Sequence, residues 1–358
     1  MDPALFQENE RTAPTADERQ FVEVGELHCE VGGHLPTVTV AYETWGTLNA
    51  AKDNAVLACH ALSGDAHAIG WWERLIGPGK AIDTDQHFVI GTNTLGGCQG
   101  TTGPASIAGD GKPYRTRFPM VTVGDMVEVQ ARVLDHLGID QLLGVAGGSM
   151  GGMQALEWTV RKPERVRKAF VTASAAAHNA MQIGFNEAAR QAVMRDPRWN
   201  GGDYDEGKGP DGGLAVARMI GHLSFLSEQA FDAKFGRRLQ DKDRPAYHLA
   251  TDFQVESYLS YQGEKFTKRF DANSLLYLTK AIDYYDLKSF AGAQAEFLFV
   301  SFTSDWIYPT HQSVELLEMA HRQGLRASHR EIDLPYGHDA FLLDGDFQGE
   351  HVREFLAS

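Results

Sequence analysis

Cysteine is scarce in this sequence. Its 358 residues hold three, Cys29, Cys59 and Cys98, an odd number at wide spacing. That excludes a disulfide framework, and none has a partner at C-x-x-C or zinc-ligand spacing, so a reducing compartment fits. Long apolar runs are missing as well. None approaches the ~20 residues that a membrane-spanning helix needs. Positive charge is short: 33 Lys and Arg stand against 48 Asp and Glu, a net charge of −15. Such a surface disfavours nucleic acid and anionic membranes as partners, yet a pocket within it can still be locally basic. Residues 1–18 lack the basic start and apolar run of a signal peptide. These absences lead to the expectation of a cytoplasmic protein with a flexible segment over residues 1–18.

What is present is ordinary for a globular chain: 43% apolar and 23% charged residues. The length suggests two domains, or one large domain with an insertion. Residues 21–31 and 37–44 alternate apolar and polar side chains, which predicts a strand pair turned at Gly32-Gly33. Residues 54–60, 87–91 and 142–146 are short apolar runs, as in strands buried on both faces, and 166–171 is another short apolar strand. Helical periodicity covers residues 123–137, with Gly138 as the stop. From about 174 to 289 the character changes, and helical patterns dominate over 183–194, 213–224, 228–235 and 253–261. A polar, glycine-rich loop at 200–212 carries Asp203, Asp205 and Glu206. Its spacing fits no calcium loop, so it reads as solvated. Strand character returns at 297–302 and 328–334, with helices at 311–322 and 349–356. The expectation is a mainly parallel sheet with helices on both faces, an α/β core over 19–173 and 290–358, and a helical lid insertion over 174–289.

The chain is organised around Gly147-Gly148-Ser149-Met150-Gly151. An apolar strand enters it and a helical pattern leaves it. This is the setting of a G-x-S-x-G elbow, in which a sharp strand-to-helix turn holds a serine hydroxyl clear of the sheet. A plain glycine-rich turn with a surface serine reads equally well from the pentapeptide alone, so partners must decide. Serine needs a base within hydrogen-bond reach and a group to orient that base. The serine-first order places an acid after one late strand and a histidine after the next. Asp305 follows the run at 297–302, and His338 follows the run at 328–334. Ser149, Asp305 and His338 therefore form the expected catalytic triad. A tetrahedral intermediate also needs an oxyanion hole. The backbone N–H groups of Met150, next after the nucleophile, and of Leu62, in His60-Ala61-Leu62-Ser63-Gly64, are assigned to it. His60 and His67 could pass for a metal pair, but no carboxylate–histidine spacing supports one, and no metal is expected. The glycine-rich stretch at 93–103 is no P-loop and reads as a structural loop near the site.

Beyond the elbow the chain resembles the MetX-type homoserine O-acyltransferases of the α/β-hydrolase fold, from about residue 21 onward. The matching stretches include His60-Ala61-Leu62-Ser63-Gly64, Gly70-Trp71-Trp72, residues 93–106, Ala217-Arg218-Met219-Ile220-Gly221, Arg269-Phe270-Asp271-Ala272-Asn273 and His338-Asp339-Ala340-Phe341-Leu342. The resemblance implies the same triad. It also implies that Arg218 and Asp339 hold the amino-acid acceptor, a guanidinium pairing with an α-carboxylate and a carboxylate receiving an α-ammonium. Periodicity alone reads Arg218 as a helix-surface cation. The implied reaction is a ping-pong transfer through an acyl-serine, from acyl-CoA to L-homoserine, in methionine biosynthesis. Acetyl-CoA is then a substrate, no cofactor stays bound, and the family implies a homodimer.

Acetyl and succinyl donors differ by a carboxylate, which is costly to bury without a cation. In succinyl-type relatives an arginine two positions after the triad aspartate can serve. That position here is Ile307, which favours acetyl. A counter-signal is Phe225-Leu226-Ser227, where many acetyl-type relatives carry Tyr-Arg-Ser, and Arg74 or Lys80 could bring a charge from another side. A succinyltransferase, serine as acceptor, and an esterase or thioesterase using water remain the rival readings. A non-catalytic binding protein on the same scaffold is the rival from another class.

Overall fold

Runs of β-branched and aromatic residues form the centre of the molecule because helices cover them on both sides. The computed structural model describes residues 19–358; the expectation for residues 1–18 lies outside them. Its main sheet has eight strands: β1 (Gln20–Glu23), β2 (Thr39–Trp45), β3 (Ala55–Cys59), β4 (Phe88–Thr92), β5 (Leu142–Gly148), β6 (Val166–Thr172), β7 (Glu296–Phe302) and β8 (Ala327–Ile332). Their spatial order is β1-β2-β4-β3-β5-β6-β7-β8. The pairs β1–β2 and β2–β4 are antiparallel, and every other pair is parallel. Val145 of β5 stands between Leu57 of β3 and Ala169 of β6. Every residue of β3 and β5 is buried, so an uninterrupted apolar run is what their two-sided burial demands.

The longer helices, in chain order, are α1 (Val123–His136), α2 (Met150–Arg161), α3 (Ala180–Met194), α4 (Asp211–Phe225), α5 (Glu228–Lys234), α6 (Gln254–Thr267), α7 (Ala272–Tyr284), α8 (Thr310–Arg322) and α9 (Phe347–Ala357). Val127 of α1, Leu156 and Trp158 of α2 and Leu316 of α8 pack on Leu57, Val145 and Phe297. Val352 and Phe355 of α9, with Trp72 and Leu75, pack on Val56, Ala146 and Val300, the alternate residues of the same strands. The period of two along each strand thus divides its side chains between two cores. Lys168 of β6 is a charged residue buried in the sheet. It is only 5% exposed, and its Nζ donates to the carbonyls of Phe355 at 2.6 Å and Leu356 at 3.2 Å, satisfying acceptors that the end of α9 leaves open.

The structure changes three readings in detail. The run at 21–31 is not one strand. Gly25, at φ 80°, turns the chain, so β1 pairs with β2 while Leu27–His28 pairs with His34–Leu35 in a separate ribbon. Helix α6 continues past Tyr261 to Thr267. Helix α7 was not expected at all. Asn273, Ser274 and Thr279 break its apolar period, and all three are buried; Asn273 Nδ2 donates to Gly202 O at 2.9 Å and Thr279 Oγ1 to Leu275 O at 2.7 Å. Helices α3 to α7 all fall between β6 and β7. In the acidic loop, Asp203 and Asp205 pair with Arg115. No helix among the described residues is long and apolar enough to cross a membrane.

Candidate active site

Strand β5 ends at Gly148 and α2 begins at Met150, leaving Ser149 alone in the turn at φ 57° and ψ −125°. A non-glycine residue seldom adopts that conformation, and such strain concentrates at working sites. The neighbours show what holds it. A Cβ on Gly147 would collide with the carbonyl of Gly151, and one on Gly151 with the carbonyl of Cys59. Both positions therefore require glycine for strand and helix to meet this closely. Ser174 Oγ donates to Ser149 O at 2.8 Å and fixes the turn from the side of β6. Met150 is fully buried; by its place its N–H belongs to the first turn of α2, where amides lack helical acceptors and the dipole is positive.

Asp305 lies in the turn after β7. Its Oδ1 accepts from the backbone N–H of Ile307 at 3.0 Å and of Tyr308 at 2.8 Å. Its Oδ2 accepts from His338 Nδ1 at 2.7 Å. The proton therefore sits on Nδ1, and Nε2 is the ring's acceptor. Both side chains are buried. Burial works against charge on His338, but the charge and hydrogen bond of Asp305 and the charge of Asp339 outweigh it and raise its pKa above the ordinary value. The ring is stacked on Tyr308 at 4.9 Å between centroids and flanked by Phe341 at 5.3 Å and Phe225 at 5.9 Å.

Ser149 and His338 open into a cavity of about 760 Å³ that Leu62, Ile307, Arg218 and Asp339 also line. The fold thus brings these expected site residues to one space, while Asp305 lies behind His338. Arg218, on α4, is no free surface cation. Its guanidinium lies 4.8 Å over the ring of Phe266, and its Nη1 donates to Ser63 Oγ at 3.4 Å, in the same loop as Leu62. Arg74 lines the cavity at an exposed position, and Lys80 is exposed on the turn after Gly77. Ile307 contributes an apolar side chain that is 8% exposed.

His60 and His67 are committed elsewhere. His60 Nε2 accepts from Thr94 N at 3.0 Å, and burial pushes its pKa down. His67 Nδ1 meets the buried Glu43 carboxylate at 2.7 Å. The stretch at 93–103 is structural in the way expected: Thr101 and Thr102 accept from the backbone of β2 through their hydroxyls. Among the described residues, Glu26, His28 and His34 bring ligand-type atoms within 4.8 Å of one another. They are exposed, and the Glu26–His34 hydrogen bond and the stack of the two rings account for that arrangement without an ion. Burial pushes the Cys29 thiol up to about 11 and the Cys98 thiol up to about 12, so neither is a ready nucleophile.

Sequence reasoning missed Tyr308, His178 and Asp283. The Tyr308 hydroxyl stands 2.6 Å from His178 Nε2, while His178 Nδ1 donates to Asp283 Oδ1 at 2.9 Å. No local motif marks these residues. They come from the turn after β7, the loop after β6 and the unexpected α7.

Comparison with known proteins agrees with this geometry. Residues 54–345 match the profile of the alpha/beta hydrolase fold. The homoserine O-acetyltransferase of Solidesulfovibrio magneticus is 51% identical, with 95% of this chain and 92% of that protein covered. The crystal structure of homoserine O-acetyltransferase from Bacillus anthracis superposes with a TM-score of 0.89 at 29% identity, covering 95% of this chain and 97% of that one. Esterase E22 superposes with a TM-score of 0.87, also at 29% identity, covering 95% and 99%. A serine elbow with an aspartate-oriented histidine, on a sheet of this order and with likeness over nearly its whole length, places the chain: it belongs to the alpha/beta hydrolase fold family and, within it, to the homoserine O-acetyltransferases.

Proposed function

We propose that this chain moves an acetyl group from acetyl-CoA to the side-chain hydroxyl of L-homoserine, a step of methionine biosynthesis, through an acetyl ester on Ser149. The observation that carries the reading is the Asp305–His338 pair, closed at 2.7 Å beside the strained Ser149, in a chain 51% identical to a named homoserine O-acetyltransferase. His338 Nε2 takes the Ser149 proton as Oγ attacks the thioester carbonyl. The C–S bond breaks, the thiolate takes the proton, and coenzyme A leaves. The homoserine hydroxyl then gives its proton to His338 and attacks the ester, and Ser149 Oγ takes the proton back. The N–H groups of Met150 and Leu62 stabilise the oxyanion in both halves, each worth ~3 kcal/mol of transition-state stabilisation. Arg218 pairs with the acceptor's α-carboxylate, and Asp339 receives its α-ammonium. Ile307 gives the acyl end an apolar wall, which suits acetyl and leaves a succinyl carboxylate unpaired there.

Residues 174–289 act as a lid on the core formed by 19–173 and 290–358, enclosing the acceptor so that it displaces water. No permanently bound cofactor or metal is needed, and the protein works as a soluble cytoplasmic homodimer. The likeness to esterase E22 supports a second reading on the same site, with water as acceptor. A panel of acetyl-, propionyl- and succinyl-CoA against homoserine, serine and water separates them. The expected result is a higher kcat/KM for acetyl- than for succinyl-CoA, with O-acetylhomoserine in excess of acetate. A ratio below one, or acetate as the main product, contradicts the proposal.

A further inference from the structure

The glycine-rich stretch at 93–103 meets the loop His60-Ala61-Leu62-Ser63-Gly64 through one ring. His60 follows β3 and is 1% exposed. Its Nε2 accepts from the backbone N–H of Thr94 at 3.0 Å, and the Asn93 side-chain amide stands 3.2 Å from the same nitrogen. Asn93 Oδ1 accepts from the N–H groups of Gln99 at 3.1 Å and Thr101 at 3.4 Å, so Nδ2 is the end that donates to the ring. A ring nitrogen that accepts carries no proton, so the His60 proton sits on Nδ1. Burial, which lowers its pKa, keeps the ring neutral. Nδ1 then donates to Ala61 O at 2.7 Å. The N–H of Gly64 donates to the same carbonyl at 2.9 Å, so both lone pairs of that oxygen are used.

A peptide unit is planar and trans, so its C=O and the N–H that follows point in opposite directions. Pinning Ala61 O therefore sets the direction of the Leu62 N–H, and turning that peptide over would break two hydrogen bonds. We propose that His60 is a positioning residue: it fixes the plane of the Ala61–Leu62 peptide and so aims the Leu62 N–H at the oxyanion. The inference rests on the reading of Ser149 as nucleophile and of the Leu62 N–H as an oxyanion donor. The other donor is tied to the same loop. Helix α2 begins at Met150, and its Gln154 donates from Nε2 to His60 O at 3.2 Å while accepting at Oε1 from Gln130 Nε2 at 2.7 Å. Gly64 lies against the ring: a Cβ there would stand 2.6 Å from His60 Cβ and 3.1 Å from Nδ1. The stretch at 93–103 thus acts on the chemistry through His60.

Two substitutions separate the bonds of the ring. In His60→Asn the side-chain Nδ2 lies as many bonds from Cα as Nδ1 does, so it can donate to Ala61 O, while the acceptor for Thr94 is lost. In His60→Gln the side-chain Oε1 lies as many bonds from Cα as Nε2 does, so it can accept from Thr94 N, while the donor to Ala61 O is lost. Two readouts are taken. One is the affinity for butylboronic acid, which adds to Ser149 as a tetrahedral species with an oxygen at the oxyanion position and requires neither coenzyme A nor homoserine. The other is the rate of each half-reaction, thiol release from acetyl-CoA and acetyl transfer to homoserine. His60→Gln is expected to weaken the boronate adduct by at least tenfold and to slow both half-reactions by a similar factor, part of the ~10²–10³-fold that one oxyanion donor is worth. His60→Asn is expected to recover most of that loss. The Kd of coenzyme A, a ground-state ligand, should change less than twofold in both, which a collapsed cavity would not allow. Gly64→Ala is expected to give the His60→Gln result by pushing the ring off Ala61 O, and it keeps the test open if a His60 variant does not fold. Wild-type boronate affinity in folded His60→Gln or Gly64→Ala, or a tighter adduct in His60→Gln than in His60→Asn, overturns the proposal. If the wild-type protein does not acetylate homoserine but the boronate series behaves as expected, the assignment of substrate falls and the positioning role stands.

Discussion

In the proposed mechanism His338 has to be neutral to take a proton from Ser149. Its protonated form is favoured by Asp305 and Asp339 beyond what burial removes, so its pKa lies above the ordinary 6.5. The sign follows directly: activity is lost as pH falls through that raised value. The pH profile of kcat/KM for thiol release from acetyl-CoA should have an acid limb with its midpoint above 6.5. Asp339→Asn, which removes one of the two charges, should move the midpoint down; an unmoved limb would show that Asp339 does not act on His338. Arg218 makes a different prediction. Arg218→Ala should raise KM for homoserine or lower transfer to it by at least tenfold, the loss expected of a buried charge-assisted pair. The burst of thiol from acetyl-CoA should survive. Equal damage to both half-reactions would remove Arg218 as the acceptor anchor. The proposed triad could be read from the sequence because each member follows a strand by a few residues, a pattern that spacing preserves. Arg218 was legible only through resemblance, since one turn of helix looks like another until its neighbours Phe266 and Ser63 are known. Tyr308, His178 and Asp283 were not legible at all, because their meeting is made by the fold.

Among the elements, β3, β5, β6 and β7 were read close to their observed bounds, because burial on both faces makes each a mainly apolar run between turns. Helix α7 escaped because its buried face carries Asn273, Ser274 and Thr279, of which Asn273 and Thr279 are hydrogen-bonded inside. The ribbon at Leu27–His28 and His34–Leu35 escaped because a single positive φ at Gly25 breaks an alternation that otherwise reads as one strand. The packing of α9 on the sheet has its own test in Lys168, whose ammonium closes the end of that helix. Lys168→Met keeps most of the bulk and leaves the carbonyls without that donor. It should lower the unfolding free energy by about 1–3 kcal/mol, seen as a lower urea midpoint. A midpoint equal to wild type would mean that water replaces the ammonium at no cost.

At the scale of the whole molecule, the sheet, the elbow and the two late loops hold the residues of the proposed acylation step, and the helices between β6 and β7 add Arg218 and one wall of the cavity. The same sheet serves an esterase of closely similar shape, so the architecture alone does not choose the acceptor. The choice lies in what discharges Ser149. The most direct measurement mixes the protein with acetyl-CoA alone, quenches it, and locates the acetyl group by peptide mass analysis, then repeats the quench after adding homoserine. The account predicts acetyl on the peptide that contains Ser149, none in Ser149→Ala, and discharge by homoserine to O-acetylhomoserine much faster than discharge by water. Acetyl-free Ser149, or discharge at the same rate with and without homoserine, would contradict it.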